Sequence, residues 1–495
     1  MEAGMEHGDW PLLRHIWVRV GVPVLLMLMG ACISLAAAAA IYISYRPALS
    51  IWHETLLSDE FTAGAGVTDW QQYLAREDAL FRQLDAEIIQ RVPAAARTRF
   101  NRFSAGSRSD PAQWPVNWNR SFEWTVHDAR FGVLLLHGYS DSPYSLRALG
   151  EALHARGGQV LGLRIPGHGT APSGLRLTTA EDMNAAVALA MAHLHRELPG
   201  KPVIIVGYSN GAALALHHTF AAINAGRAER PAALVLISPE VGISPVAALA
   251  SWQAWIGEIL GTAELAWDSI EAEFDPFKYN SFAVNAGAQA YRMTQLVQAQ
   301  ISAVAAAGRL KEVPPILAFQ SEADATVTAT AVKRELFDRL ESDDAELVLF
   351  DVNRVFETEG LVIQPAGFDT ALAGPPHRYT VSILTNRTPQ DLAAVVRRRL
   401  PMADAVTTED TGLSWPRDVY SLAHIALPFP PEDPLYGDGR ATRLNSLNLG
   451  RAVLRGEKGR LEIPDSAMTR QHWNPFYPYM ESRILAFVDR AVSGR

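Results

Sequence analysis

Cysteine is almost missing from this 495-residue chain, and the single Cys32 excludes both an internal disulfide framework and a cysteine-rich metal site. Positive charge is not in excess: 44 Lys and Arg stand against 53 Asp and Glu, a net charge of −9. Such a surface repels phosphate backbones, so nucleic acid is not an expected partner. No His or Glu pattern has zinc-site spacing, and no glycine-rich loop precedes a Lys-Ser/Thr pair, so neither a metal nor a bound cofactor is expected. The 35 Gly and 30 Pro have no fixed period, which excludes a collagen-like chain. The 48% of hydrophobic residues describes a folded protein rather than a disordered one. The length suits two or three domains, or one large α/β domain with insertions.

One long uncharged run is present. Val20 to Ile43 reads VGVPVLLMLMGACISLAAAAAIYI, 24 residues without a charge, enough for a helix across about 30 Å of hydrocarbon. Trp17 precedes it, and Tyr42 and Tyr45 lie at its far end, as an aromatic belt requires. A cleaved signal peptide would have an apolar core of only ~7–15 residues. Met29-Gly30-Ala31-Cys32 loosely resembles a lipoprotein signal, but the apolar run continues for eleven residues past Cys32. The expectation is an uncleaved single-pass anchor over 20–43. Arg14 and Arg19 before the run and Arg46 after it put residues 1–19 in the cytoplasm and the bulk of the chain outside, in the periplasm or at the cell exterior of a bacterium.

Residues 44–113 carry helical periodicity: Trp70, Tyr73, Leu74, Leu80, Phe81 and Leu84 predict a packed helix. A loop is expected over Ser104–Pro111. From about residue 114 the pattern becomes that of one large domain. Short apolar runs (132–136, 160–163, 203–206, 233–237, 316–319 and 347–350) alternate with helical stretches at 145–155, 180–198 and 211–225. Near-continuous apolar runs mean burial on both faces, so the fold class is a doubly wound, mostly parallel α/β sheet. Two stretches interrupt it. Residues 245–312 include Trp252, Trp255, Ile256, Ile259 and Leu260 at amphipathic spacing and read as a helical cap over a pocket, with extra helical packing as the alternative. Residues 354–416 form a second insertion, with a strand at 379–384, a helix capped at Thr388-Pro389, and Arg397–Arg399 near that helix's end.

The strongest chemical signal is Gly207-Tyr-Ser209-Asn210-Gly211, between a strand and a helix. A nucleophilic serine needs a tight strand-to-helix turn that lifts its hydroxyl above the sheet, with small neighbours to relieve the backbone. His137-Gly-Tyr139-Ser-Asp-Ser-Pro143 follows an earlier strand. Its turn aims the Tyr139 amide, with that of Asn210, at a developing oxyanion, where one such donor is worth about 2.7–4 kcal/mol. His137 itself is expected to shape the turn, not to act as base. His168 is read as shaping the pocket mouth, and His217 and His218 as core or surface.

The segments LLLHGYSDSPYSLRALGEAL, LGLRIPGHGTAP and GYSNGAALAL together resemble the α/β-hydrolase superfamily over residues 120–330. The similarity is greatest to the monoacylglycerol lipase, lysophospholipase and carboxylesterase branch, often grouped with serine aminopeptidases. The resemblance implies a Ser-His-Asp triad, a helical cap and hydrolysis of small-molecule or lipid esters without a cofactor. The acid then falls at Asp324, after the strand 316–319, although Gln320 replaces the glycine usual in that turn. Glu240 and Asp351 are alternative acids. For the base, His424 is preferred as the imidazole at the end of an apolar run. His472, before the last helical stretch, is the alternative base, and His377 stands further back. Acidic residues in the cap that grip an amine would favour an aminopeptidase; Glu258, Glu264, Glu271 and Glu273 are the candidates. An acyltransferase on the same triad and a non-catalytic membrane-anchored scaffold are the remaining alternatives.

Overall fold

The structure is a computed structural model describing residues 17–227, 229–242, 262–355, 372, 374–441, 447–451 and 469–494. Five strands open the main sheet: β1 (Phe122–Trp124), β2 (Phe131–Leu136), β3 (Gly158–Leu163), β4 (Val203–Tyr208) and β5 (Ala233–Ile237). Two short strands, β6 (Trp267–Ser269) and β7 (Phe282–Ala283), pair with each other outside it. The main sheet resumes with β8 (Ile316–Ser321), β9 (Glu346–Phe350), β10 (Thr380–Asn386), β11 (Ala393–Arg399) and β12 (Val406–Ser414). Its ten strands run in the order β1-β3-β2-β4-β5-β8-β9-β10-β11-β12. From β3 to β10 every pairing is parallel, whereas β1, β11 and β12 add antiparallel edges.

The apolar runs account for this arrangement. Every residue of β2, β3, β4, β5, β8 and β9 is buried, because helices cover both faces. One face packs under the helices Ala180–Glu197, Asn210–Asn224 and Val284–Ala306. The other packs under Arg147–Ala155 and Tyr477–Ser493. Thr179 opens Ala180–Glu197 with a capping box to Asp182, which satisfies amides that have no partner inside the helix.

Two expectations change here. Val284–Ala306, inside the stretch read as a cap, is a 23-residue helix that places Met293, Val297, Ile301 and Val304 in the main core. Its apolar face thus serves as a sheet-covering crossover. The Trp252–Leu260 segment lies outside the described residues. The helix expected after Thr388-Pro389 is instead β11, paired antiparallel with β10 and β12. Arg399 is buried there and donates to the carbonyls of Leu372, Gly374 and Pro375. The arginines are strand residues, not a cationic helix end.

The predicted helix at 70–84 spans Trp70–Glu87, with Trp70, Tyr73, Leu80, Phe81 and Leu84 buried. Trp70 and Tyr73 join the same core cluster as the sheet. Further upstream, Val22–Ser44 forms a 23-residue helix. Among the described residues no helix is long and apolar enough to cross a membrane. Cys32 and several neighbouring side chains of that helix lie outside the description.

Candidate active site

Ser209 sits between β4 and the helix Asn210–Asn224 with φ 55° and ψ −118°, a conformation that a non-glycine residue adopts only under constraint. Both glycines around it have a steric reason. A Cβ on Gly207 would lie 2.5 Å from Gly211 O, and one on Gly211 would lie 2.0 Å from Leu136 O. The turn therefore closes only if both positions lack side chains, so the helix can start against the ends of β2 and β4. The Ser209 amide is held by Ile237 O at 2.9 Å.

Three side chains distant in sequence converge. Ser209 Oγ lies 3.0 Å from His424 Nε2, and His424 Nδ1 lies 2.7 Å from Asp324 Oδ2. Asp324 follows β8 and His424 opens a short 3₁₀ turn, His424–Ala426. The imidazole comes after the β10–β12 extension, not directly at the end of β9. Burial alone would raise the Asp324 pKa. The charge and hydrogen bond of His424, with the amides of Val327 and Thr326, outweigh it and hold the carboxyl below its ordinary value. An ionised Asp324 accepts a hydrogen bond from Nδ1–H, which leaves Nε2 as the nitrogen to accept from the serine hydroxyl.

Gln320 was marked in the sequence only as a departure from the usual glycine, and the part it plays there was not foreseen. Fully buried, it donates from Nε2 to Asp324 Oδ2 at 2.9 Å and to Val327 O at 2.8 Å. The departure from glycine in this turn thus adds a donor to the acid. The replaced glycine was the signal available in the sequence. Ser321 Oγ donates to Leu422 O at 2.8 Å, tying the loop of His424 to the end of β8.

The loop of His137-Gly-Tyr lies against the serine. A Cβ on Gly138 would stand 3.1 Å from Ser209 Cβ. Among the described residues the amides of Tyr139 and Asn210 have no turn or side-chain acceptor. His137 takes the Ile165 amide at Nε2 and bonds Gly138 O through Nδ1, so it shapes the turn as expected. Burial, with His168 second, holds it well below the ordinary histidine pKa. His168 bonds Pro166 O, and burial lowers it to about 4. His218 is buried on the helix behind Ser209.

The other candidates are occupied elsewhere. His472 stacks over Tyr436 at 6.4 Å, and His377 stacks on Tyr379 at 5.0 Å. Asp351 pairs with Arg354 at 2.8 Å and accepts from Thr385 at 2.6 Å. Glu273 accepts the amides of Asn280 and Ser281. Glu264 and Glu271 make no ion pair among the described residues, and Glu258 lies outside them. Glu240 stands beside the serine, its amide donating to Ser209 O at 3.3 Å.

A parallel sheet between helical layers, with a strained serine on the turn after a central strand, is the architecture of the α/β-hydrolase fold. Residues 127–353 match the family model described as serine aminopeptidase, S33. Among curated proteins, the thermostable monoacylglycerol lipase of Bacillus sp. (strain H-257) is 35% identical over 86 residues, 17% of this chain and 34% of that enzyme. The chain thus spans about a third of the curated relative it matches. Similar solved structures include the metagenome-derived lipolytic enzymes LipS and LipT (23% identity, TM-score 0.38, 47% of this chain and 88% of that one). Another is the monoacylglycerol lipase of Paleococcus ferrophilus (17% identity, TM-score 0.36, 47% and 88%).

Proposed function

We propose that this chain is a serine hydrolase that cleaves carboxylic esters of lipid type through Ser209, His424 and Asp324. The observation that carries this reading is the unbroken relay of 3.0 Å and 2.7 Å contacts from the serine hydroxyl through the imidazole to the carboxylate. His424 removes the Ser209 proton as the oxygen attacks the acyl carbonyl. The amides of Tyr139 and Asn210 receive the oxyanion. His424 then protonates the leaving alcohol, and water repeats the cycle on the acyl-enzyme. The Bacillus relative's name supports a monoacylglycerol-type ester.

A serine aminopeptidase is the second reading, favoured by the family description. The amides of Asn280 and Ser281 already occupy Glu273, one of the carboxylates proposed to grip an amine, which supports the ester reading. Anchoring by residues 20–43, with the hydrolase domain outside the cytoplasm, belongs to the same proposal and rests on the uncharged run.

A fluorophosphonate probe is expected to label Ser209. Ser209→Ala should lose labelling and about 10³-fold or more of ester turnover. His424→Ala should match that loss, whereas His472→Ala should not. An unlabelled wild type that turns over no ester would sink the reading. Flotation with liposomes tests the anchor: the full chain is expected to float, and a chain starting at Tyr45 to stay in solution.

A further inference from the structure

The basic residues of this chain are unevenly placed. Between Glu87 and Asp110 no acidic residue occurs, yet Arg91, Arg97, Arg99, Arg102 and Arg108 do, in a chain whose net charge is −9. Arg102 is used internally: it is buried and donates to Lys278 O at 3.1 Å and to Asn119 Oδ1 at 3.4 Å. The other four make no ion pair among the described residues, and Arg91, Arg97 and Arg99 are exposed. Cations kept together without a counter-charge repel one another, and a surface that needs only solubility mixes both signs.

Arg97 and Arg99 line a groove of about 440 Å³, together with Ser104 and Gly106 from the turn that follows them. Arg97 Nε donates to Val92 O at 3.1 Å, which steadies the side chain and leaves its terminal nitrogens for a ligand. Asp110 fixes the turn by accepting the Gly106 amide at 2.7 Å. Ser104 is 6% exposed, and its hydroxyl has no partner. Buried hydroxyls are nearly always paired, so this donor points to an acceptor that arrives from outside. Asp85 is the one carboxylate among the described lining residues, and it accepts from Gln90 Nε2 at 2.6 Å. Two guanidinium forks and a hydroxyl suit the several oxygens of a phosphate group better than the two of a carboxylate.

Two further observations put that phosphate on a lipid. Phe100 is 46% exposed, with the Arg108 guanidinium 5.9 Å from its ring centre. An exposed aromatic ring among cations suits the boundary between headgroups and acyl chains, whereas a soluble phosphate has no use for it. The groove also lies close to the proposed anchor. Phe103 lines it and stacks on Trp52 at 5.1 Å. Trp52 follows the end of the helix Val22–Ser44 by eight residues, at most about 29 Å of extended chain. Clusters of arginine beside a membrane helix match anionic headgroups.

We propose that residues 88–108 form a docking face for an anionic phospholipid surface, with a headgroup phosphate held by Arg97, Arg99 and Ser104. The face takes its nearness to a bilayer from the anchoring reading, but its recognition chemistry is independent of the anchor and of ester hydrolysis. The helix Trp70–Glu87 runs into this face and places Trp70 and Tyr73 in the sheet's core. Docking therefore sets the orientation of the sheet relative to the lipid surface.

The test uses the full chain in vesicles of phosphatidylcholine alone and of phosphatidylcholine with about 30% phosphatidylglycerol. The quantity read is the rate at which phenylglyoxal modifies Arg97 and Arg99, followed residue by residue by peptide mass spectrometry. Phosphatidylglycerol is expected to slow both about fivefold or more, and about 0.5 M NaCl to restore them, because the contact is between exposed charges. Arg227, exposed after the helix Asn210–Asn224, is the control and should react equally in both vesicles. In the double variant Arg97→Gln, Arg99→Gln, phosphatidylglycerol should slow Arg108 less than it does in wild type. Equal rates at Arg97 and Arg99 in the two vesicles overturn the docking face. So does equal slowing at Arg227, which would mean a general effect of the anionic surface. Protection by free inorganic phosphate, with none from phosphatidylglycerol, overturns the lipid assignment in favour of a soluble ligand. The anchor is read separately, by flotation with phosphatidylcholine alone. A chain that floats but keeps Arg97 and Arg99 equally reactive retains the anchor and loses the docking face. One that does not float, yet is protected by phosphatidylglycerol, retains the docking face and loses the anchor.

Discussion

Glu240 carries a consequence for stability. Its folded pKa, raised by burial to about 8, stands above the ordinary 4.5. Between those values the folded chain keeps a proton that the unfolded chain has released. The unfolded state binds fewer protons, so stability falls as pH rises through this window, by at most about 1.4 kcal/mol per unit. Glu240→Gln cannot ionise and escapes the loss. Its melting temperature is expected to match wild type near pH 4 and to exceed it by a margin that grows from pH 5 to pH 8. A constant margin across that range would count against a buried, proton-retaining Glu240. The residues of the proposed site differ in how legible their places were in the sequence. The place of Ser209 was readable because a local turn decides it. Asp324 was expected from the family resemblance, at its place after an apolar strand. His424 was preferred over His472 on its place at the end of an apolar run, but which loop folds back over β4 is a long-range outcome that this local mark does not decide. Gln320 escaped because its value lies in a hydrogen bond across its own turn, which a pattern of residue types does not record.

At the level of elements, the two glycines of the serine turn act by close approach. Gly211 places the first turn of its helix against the carbonyl ends of β2, leaving 2.0 Å where a Cβ would meet Leu136 O. The obstacle is backbone and cannot swing aside. Gly211→Ala is therefore expected to cost about 3 kcal/mol or more, the upper end for overpacked sites, measured by urea denaturation. Gly287→Ala, on Val284–Ala306 with open space at its Cβ, is the control and should gain a few tenths of a kcal/mol from helix propensity. Equal stability of the two variants would contradict the close approach. The same reasoning explains which elements were legible. The runs that became β2, β4, β5, β8 and β9 are buried on both faces, and their apolar character alone identified them. β11 was mistaken for a helix because Ala393-Ala-Val-Val-Arg-Arg-Arg399 suits either state by propensity. Pairing with β10 and β12 decides it, and that pairing lies outside any local window. Val284–Ala306 was read into the 245–312 cap because the only amphipathic spacing read there was at 252–260, and nothing local marks the layer against which this helix packs.

Across the whole molecule, the question is how the segment before the sheet is joined to it. Arg164, in the loop after β3 and 1% exposed, is the junction. Its guanidinium pairs with Glu60 at 2.9 Å and Glu77 at 3.0 Å, both from the upstream segment. Tyr73 adds a hydroxyl to Arg164 O at 2.5 Å. With Trp70 and Tyr73 in the sheet's own core, the upstream segment and the sheet share one packed interior. Buried ion pairs gain little over apolar packing when both partners are present, but removing one partner strands a charge at a cost of about 3–5 kcal/mol. Arg164→Met leaves Glu77 buried without a counter-charge, with hydrogen bonds from Ser121 alone, and is expected to lose stability toward that range by urea denaturation. Adding Glu77→Gln should restore part of the loss, because the stranded charge is then gone. Breaking the exposed Arg120–Asp78 pair by Asp78→Asn should cost less than about 1 kcal/mol. If the upstream segment were only draped on the domain, Arg164→Met would leave the main transition in place and speed proteolysis of 58–113 alone. If the two form one unit, a single transition moves as a whole, and cleavage in that segment follows global unfolding.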